Sequence, residues 1–233
     1  MISVCIPCYN EERIIEKSYV VIKKEFRKIK QPYEIILFDD GSTDSTLEKL
    51  KSIQKKDKSV KVVTYFPNRG VGEAYKRMFD EAKGDYVVIL DADMAVSPSH
   101  INKFYKAFSN TNLDVIIGSR FVGTKADYPF HRKIISRMYY FLYRILFGLK
   151  IKDIESGFAI FKRKAIKNLD LQRTGFESLL EIYLKIRDKG YKIKEFPVKF
   201  KHRKESKVRI IKHSIIAFIG TIILFIKWKK HLL

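Results

Sequence analysis

Four times in the first 93 residues, a short apolar, β-rich run stops at a cluster of polar and small residues, and a helical stretch follows. The apolar runs lie at 2–6, 33–38, 60–66 and 85–90, and the polar clusters at 7–12, 39–44, 68–72 and 91–93. Apolar runs of that length read as buried strands. The first helix is expected over 11–30, where Ile14, Ile15, Tyr19, Ile22 and Phe26 recur at a rough 3.6 period. The second starts at a cap supplied by Thr43 or Asp44 and runs to residue 56, and the third runs to residue 83, stopped by Gly84. Strands alternating with helices through short connections predict a parallel sheet covered on both faces. In such a sheet ligands bind beyond the carboxyl ends of the strands. All four polar clusters fall at that edge.

The alternation continues with a helix over 98–109, a strand over 113–118 and a loop over 121–131. An amphipathic helix is expected over 132–147. It carries Arg132, Lys133, Arg137 and Arg144 beside a broad apolar set that includes Ile134, Met138, Phe141 and Ile145. Asp153-Ile154-Glu155-Ser156-Gly157-Phe158 leads into a strand ending at residue 161. A helix over 175–189 ends at Gly190, and a Pro-containing edge strand spans 193–200. Residues 202–207 form a polar loop. Residues 214–226 are apolar all round and flanked by Lys212, Lys227, Trp228, Lys229 and Lys230. Thirteen helical residues span only about 20 Å, against roughly 30 Å of bilayer core. A helix lying in a membrane interface fits better than a span, and docking on a small membrane-protein partner is the alternative.

Charge separates the classes of function. The chain of 233 residues has 47 Lys and Arg against 26 Asp and Glu, a net +21. Residues 119–152 hold eight Lys/Arg and one acid, and residues 201–233 hold nine and one, so these two segments carry most of the excess. A basic surface implies an anionic partner: nucleic acid, anionic lipid or a phosphorylated substrate. A nucleic-acid module would spread its charge over one face, whereas here it concentrates beside apolar helices and the strand-end loops are acidic. No nucleic-acid partner is therefore expected. Cys5 and Cys8 are too few for a structural zinc or a disulfide framework and read as incidental small residues. The opening Met1-Ile2-Ser3-Val4 carries no basic leader, so no signal peptide is expected, and the sparse cysteine fits a reducing cytoplasm.

The fourth cluster is the most chemical. Asp91 and Asp93 are one residue apart at the end of a strand, with Met94, Ala95 and Val96 following and no cation nearby in sequence. Alternation along an extended chain points their side chains the same way. Such a pair suits a hard divalent cation, Mg²⁺ or Mn²⁺, shared with substrate phosphates. The known phosphate loops are excluded. Gly70-Val71-Gly72 has Tyr75 where a dinucleotide fingerprint needs its third glycine, and no Gly-x4-Gly-Lys-Ser/Thr is present.

The run 6–12 (Ile-Pro-Cys-Tyr-Asn-Glu-Glu), with Asp39-Asp40-Gly41-Ser42-Thr43-Asp44, Asn68-Arg69-Gly70 and Asp91-Ala92-Asp93, resembles the family 2 glycosyltransferases of the GT-A fold. Gly118-Ser119-Arg120, Arg132 with Ser136, Ser156-Gly157-Phe158 and Glu205-Ser206-Lys207 narrow the resemblance to dolichyl-phosphate mannose synthases and related polyprenyl-phosphate glycosyltransferases. The resemblance runs from residue 2 to about 208. It implies a Rossmann-like, mostly parallel α/β sheet with helices on both faces. The catalytic domain would span 1–208, including the amphipathic helix, and 209–233 would be a basic, apolar interfacial helix. Pro7, Tyr9 and Glu11, with Asp39 and Asp40, would hold the base and ribose of a nucleotide sugar, and Phe38 and Ala92 complete that set. Asp91 and Asp93 would hold the metal at its diphosphate, Arg203 and Lys207 would close over it, and Arg120, Arg132 and Ser136 would bind the acceptor phosphate. Asp91, Asp93 and Arg120 form the implied catalytic set. The implied reaction moves a hexose, mannose from GDP-mannose or glucose from UDP-glucose, to a polyprenyl phosphate at the cytoplasmic membrane face, with the enzyme bound peripherally. Relatives that extend glycans need a carboxylate base, and near residues 150–180 none is obvious beyond Asp153 and Glu155, which favours the lipid acceptor. The chain departs from the pattern at Ala95, where many members carry a further Gln ligand, and at Lys204, where they carry Gly.

Overall fold

The apolar runs assemble into one seven-stranded sheet in a computed structural model that describes residues 1–123, 130–175, 177–201 and 210–230, apart from the side chains of 109, 130–132 and 210–213. The strands are β1 (Ile2–Cys8), β2 (Tyr33–Asp39), β3 (Val60–Thr64), β4 (Tyr86–Leu90), β5 (Val115–Ser119), β6 (Phe158–Lys162) and β7 (Ile193–Pro197). Their order is β3-β2-β1-β4-β6-β5-β7. The first four strands are mutually parallel, as their short helical crossovers require. The second half departs from the expected parallel sheet. β6 runs antiparallel to both β4 and β5, while β5 and β7 are parallel to each other. An apolar strand buried on both faces carries no mark of its direction, so Phe158-Ala159-Ile160-Phe161 could not announce this. The consequence is positional: the start of β6, not its end, lies beside the end of β4.

Alternate residues of each central strand enter two separate cores. Cys5, Val87 and Ile89 face a cluster built with α3 (Val71–Glu81), α7 (Ser178–Asp188), α5 (Phe130–Phe147) and α8 (Ile210–Lys229). Ile6, Cys8, Val88 and Leu90 face a second cluster built with α1 (Ile15–Phe26), α2 (Thr46–Lys56) and α4 (His100–Ser109). Each fully buried Phe or Ile contributes roughly 1.5–3 kcal/mol relative to exposure. The two cysteines thus point to opposite sides of the sheet, and burial pushes the Cys5 thiol well above its ordinary range, which makes it inert.

Several boundaries differ from the sequence reading for local reasons. α1 starts at Ile15 because residues 12–14 form a turn. Asp44 serves the start of α2 from one residue outside the cap: its Oδ1 accepts from the backbone N–H of Thr46 at 2.9 Å. Gly84 does not stop α3, which ends at Glu81. Its small size instead admits Ser3, since a Cβ there would come within 2.6 Å of the Ser3 backbone nitrogen. β7 ends at Pro197, beyond which Phe200 makes only an isolated bridge to Val96. The four-residue α6 (Arg163–Ile166) had no sequence signal.

Candidate active site

The parallel strands β1 to β4 deliver their polar clusters to one edge, where the clusters bond to one another. Asn10 donates its backbone N–H to Ser42 Oγ at 3.0 Å and accepts from the Thr43 N–H at 2.8 Å. Glu11 N–H donates to Thr46 Oγ1 at 2.7 Å. Asn68 Nδ2 donates to the Asp40 carbonyl at 2.7 Å. Gly41, at φ +68°, lets this third loop approach: a Cβ would lie 2.5 Å from the Asn68 nitrogen.

The two aspartates after β2 have separate duties. Asp39 is buried and shapes the loop, accepting from the Ser42 N–H at 3.3 Å and from Thr64 Oγ1 at 2.9 Å. Asp40 uses Oδ1 to accept from the Tyr65 hydroxyl and from the Arg69 N–H at 3.2 Å. The Arg69 guanidinium stacks 5.1 Å from the Tyr65 ring centre. Phe38 has no surface on the cleft; it backs Tyr65 edge-on at 5.2 Å from within the core. Ala92 is likewise buried, whereas Tyr9 is 43% exposed and Pro7 and Glu11 are half-buried at the end of β1.

Asp91 leaves the end of β4 and donates its backbone N–H to the Gly157 carbonyl at 3.1 Å. Burial, then the neighbouring Asp93 charge, pushes its carboxyl up to about 7, with Arg120 pulling the other way. Gly157 packs directly on that carboxylate. It has φ +65°, and a Cβ would lie 1.8 Å from Asp91 Oδ2. Asp93 turns back so that Oδ1 accepts from the Ala95 N–H at 2.9 Å. Among the described residues neither aspartate makes an ion pair. Two adjacent, mutually repelling carboxylates fit a hard divalent cation, which takes oxygen ligands and offsets that repulsion. Among the described residues no three His, Cys, Asp or Glu side chains converge on one metal position.

From Asp91 and Asp93 a cavity of about 350 Å³ runs between the sheet edge and helices α5 and α8. Arg120, Ser136, Tyr139, Glu155 and Ala217 are on its walls. Arg120 is held there by Asp153: Nε and the backbone N–H donate to Oδ2 at 2.9 and 2.7 Å, and Nη2 donates to Oδ1 at 2.6 Å. Nη2 also reaches the Glu155 carbonyl at 3.1 Å, and the guanidinium lies 5.1 Å from the Phe200 ring centre. Asp153 is fixed in turn by Glu195 on β7, whose two carboxylate oxygens accept from the N–H groups of Lys152 and Asp153, both at 2.9 Å. The sequence offered Asp153 only as a candidate base and gave no role to Glu195. They are 33 and 75 residues from Arg120, and only the mixed sheet brings the three together.

Of the residues expected to bind an acceptor phosphate, Arg120 and Ser136 meet in the cavity. The side chain of Arg132 and the whole of Arg203 and Lys207 lie outside the described residues.

Helices α5 and α8 lie side by side. The Tyr139 hydroxyl donates to the Ser214 carbonyl, and Phe147 packs edge-on against Phe225 and Trp228 at 5.6 Å each. Each leaves an apolar stripe in solvent: Ile134, Met138, Phe141 and Ile145 on α5, and Ile215, Ile219, Ile223 and Ile226 on α8. With Ile216 and Phe218, these are ten of the fifteen large apolar side chains exposed among the described residues, so the exposure is a patch and not scatter. Among the described residues no helix is long and apolar enough to cross a membrane.

The profile for glycosyl transferase family 2 matches residues 3–170. The chain is 34% identical over 233 residues to the dolichol-phosphate mannosyltransferase of Pyrococcus furiosus, covering 98% of this chain and 64% of that protein. It is 28% identical over 216 residues to the glycosyltransferase AglD of Haloferax volcanii, covering 91% of this chain and 35% of that one. The chain therefore spans less than two thirds of the length of these relatives. Among solved structures, glucosyl-3-phosphoglycerate synthase of Mycobacterium tuberculosis in complex with Mn²⁺, uridine diphosphate and phosphoglyceric acid superposes with a TM-score of 0.74 at 20% identity, over 97% of this chain and 78% of that one. That likeness establishes the fold, and the profile match, which holds for most of the chain, establishes the kinship: this chain belongs to glycosyl transferase family 2, in the GT-A fold.

Proposed function

We propose that the chain catalyses metal-dependent, inverting transfer of a hexose, mannose from GDP-mannose, to a dolichyl or polyprenyl phosphate at the cytoplasmic face of a membrane. One observation carries the reading: a single cavity joins the Asp91/Asp93 pair to the walls of the two helices that bear the apolar patch. The 34% identical relative is named for transfer to dolichol phosphate, which supports the same acceptor. Residues 1–208 would be the catalytic domain and 209–233 the interfacial segment.

The donor's base and ribose would lie against Pro7, Tyr9, Glu11 and Asp40, with Asp39 shaping the loop from beneath. Asp91 and Asp93 would hold Mg²⁺ or Mn²⁺ at the diphosphate, where such a cation supplies neutralisation of the charge developing on the leaving group. Arg203 and Lys207 are proposed to add positive charge there. Arg120, Ser136 and Arg132 would hold the acceptor phosphate. One of its oxygens attacks the anomeric carbon from the side opposite the nucleotide. The bond from that carbon to the β-phosphate oxygen breaks, and its electron pair leaves with the nucleoside diphosphate. An ionised phosphate is already a nucleophile and needs no general base, so the protein contributes positioning and charge stabilisation.

The test is thermal shift against GDP, UDP, GDP-mannose and UDP-glucose, with and without Mn²⁺, in the wild type and in Asp93→Ala. A Mn²⁺-dependent rise with GDP and GDP-mannose, absent in the variant, is the expected result. A rise with the uridine nucleotides alone moves the donor to UDP-glucose and keeps the mechanism. No rise with any nucleotide overturns the reading.

A further inference from the structure

We propose that Glu155 recognises the hydroxyl groups of the transferred hexose and so selects the donor sugar. This rests on the donor-site reading above and extends it to a residue to which neither the family pattern nor the comparisons assign a role.

Four observations converge on it. First, Glu155 lines the cavity two residues before Gly157, which packs on Asp91, and its own carbonyl is bonded to Arg120 at 3.1 Å. A diphosphate at Asp91 and Asp93 would place the sugar one phosphate away, on this side of the pair. Second, the Glu155 side chain opens to solvent through the cavity and makes no hydrogen bond or ion pair among the described residues. That contrasts with Asp153, two residues earlier, which is consumed by Arg120. Third, its surroundings are aromatic. Its charge acts on the hydroxyls of Tyr75, Tyr139 and Tyr143. Two of these hydroxyls are committed elsewhere, Tyr139 to the Ser214 carbonyl and Tyr143 to Thr221. Fourth, although the side chain reaches solvent, desolvation by the cavity walls raises its carboxyl above the usual range, with Arg120 opposing.

The alternatives are narrowed by chemistry. Among the described residues Glu155 belongs to no group of three metal-ligating side chains. A carboxylate repels a phosphate, and the cavity offers Arg120, Lys152 and Ser136 for that group instead. What a carboxylate with no partner among the described residues does well is accept hydrogen bonds from uncharged hydroxyls, up to four through its two oxygens. In the proposed reaction the hexose is the one group rich in them.

The experiment is calorimetric titration of wild type, Glu155→Ala and Glu155→Gln, in Mn²⁺, with GDP, GDP-mannose, UDP and UDP-glucose, followed by the pH profile of kcat. The nucleoside diphosphates serve as an internal check on folding. The expected result is a loss of about 10- to 100-fold in affinity for the intact nucleotide sugar in Glu155→Ala, with the matching nucleoside diphosphate unchanged within about twofold. Glu155→Gln, which keeps one acceptor oxygen, should lose less. Unchanged nucleotide-sugar affinity in both variants overturns the proposal. If that is joined by loss of the acidic limb of the kcat profile, Glu155 is a general base and the acceptor is a hydroxyl. A change confined to the KM of the lipid phosphate also overturns it, in favour of an acceptor contact. If the wild type binds no nucleotide, the donor-site reading itself has failed, and the sugar proposal falls with it.

Discussion

A proton on Asp91 stabilises the metal-free protein. Its carboxyl is pushed up to about 7 from an ordinary value of 3.8, so between those limits the folded state holds a proton that the unfolded chain has lost. Stability therefore falls as pH rises through this window and levels off above it. Asp57 behaves oppositely: hydrogen bonds from Lys23 and Tyr19 outweigh its burial and hold it well below the usual range, so its contribution is lost on strong acidification. Comparison with Asp91→Asn isolates the first effect. The melting temperature of the variant, relative to wild type in chelator, should climb from pH 4 to pH 7 and then stay level; a constant difference would contradict the assignment. At Arg120 the pairing with Asp153 is nearly inaccessible to water, with side-chain exposures of 9% and 1%. Removing one partner of a buried pair strands the other charge, at about 3–5 kcal/mol. Asp153→Ala should lower the urea midpoint accordingly, and Asp153→Asn, which still offers an acceptor oxygen, should lower it less.

At the scale of elements, local pattern was legible where each strand meets its loop, because polar clusters at 7–12, 39–44, 68–72 and 91–93 need no tertiary information to be seen. The direction of β6 was not, since burial on both faces erases any cue. Nor were the partners that follow from it, Glu195 with Asp153 and Gly157 with Asp91, which are pairings across the sheet. For α8 the pattern was present but coarse. Residues 214–226 read as apolar all round, yet Ala217, Gly220, Thr221 and Leu224 form an inward stripe of mostly small residues on a helix of 20 residues. A Cβ on Gly220 would come within 2.6 Å of the Glu177 carboxyl carbon, so this helix is seated closely on α7. The outward stripe bears no such contact. Replacing Ile219 and Ile223 together by Asp should leave the melting temperature within a few degrees of wild type and release the protein from anionic vesicles in a flotation assay. Retention of the double variant on vesicles would refute the role of this face.

For the molecule as a whole, the basic excess and the apolar patch occupy the same segments, 119–152 and 201–233, while the acidic strand ends gather at the carboxyl edge of β1 to β4. The donor would thus arrive from water and the acceptor from lipid. Ser214 and Ala217 of α8, with Ile135 and Ser136 of α5, are at once part of the patch-bearing helices and part of the cavity lining. If the acceptor is the proposed polyprenyl phosphate, it need never leave the plane of the bilayer to enter such a cavity, and its encounter with the enzyme would become a search in two dimensions. Velocity would then track the mole fraction of polyprenyl phosphate in the vesicle and not its bulk concentration. Adding inert lipid at fixed total polyprenyl phosphate should dilute the substrate and slow the reaction, while the dependence on nucleotide sugar remains that of a solute in three dimensions.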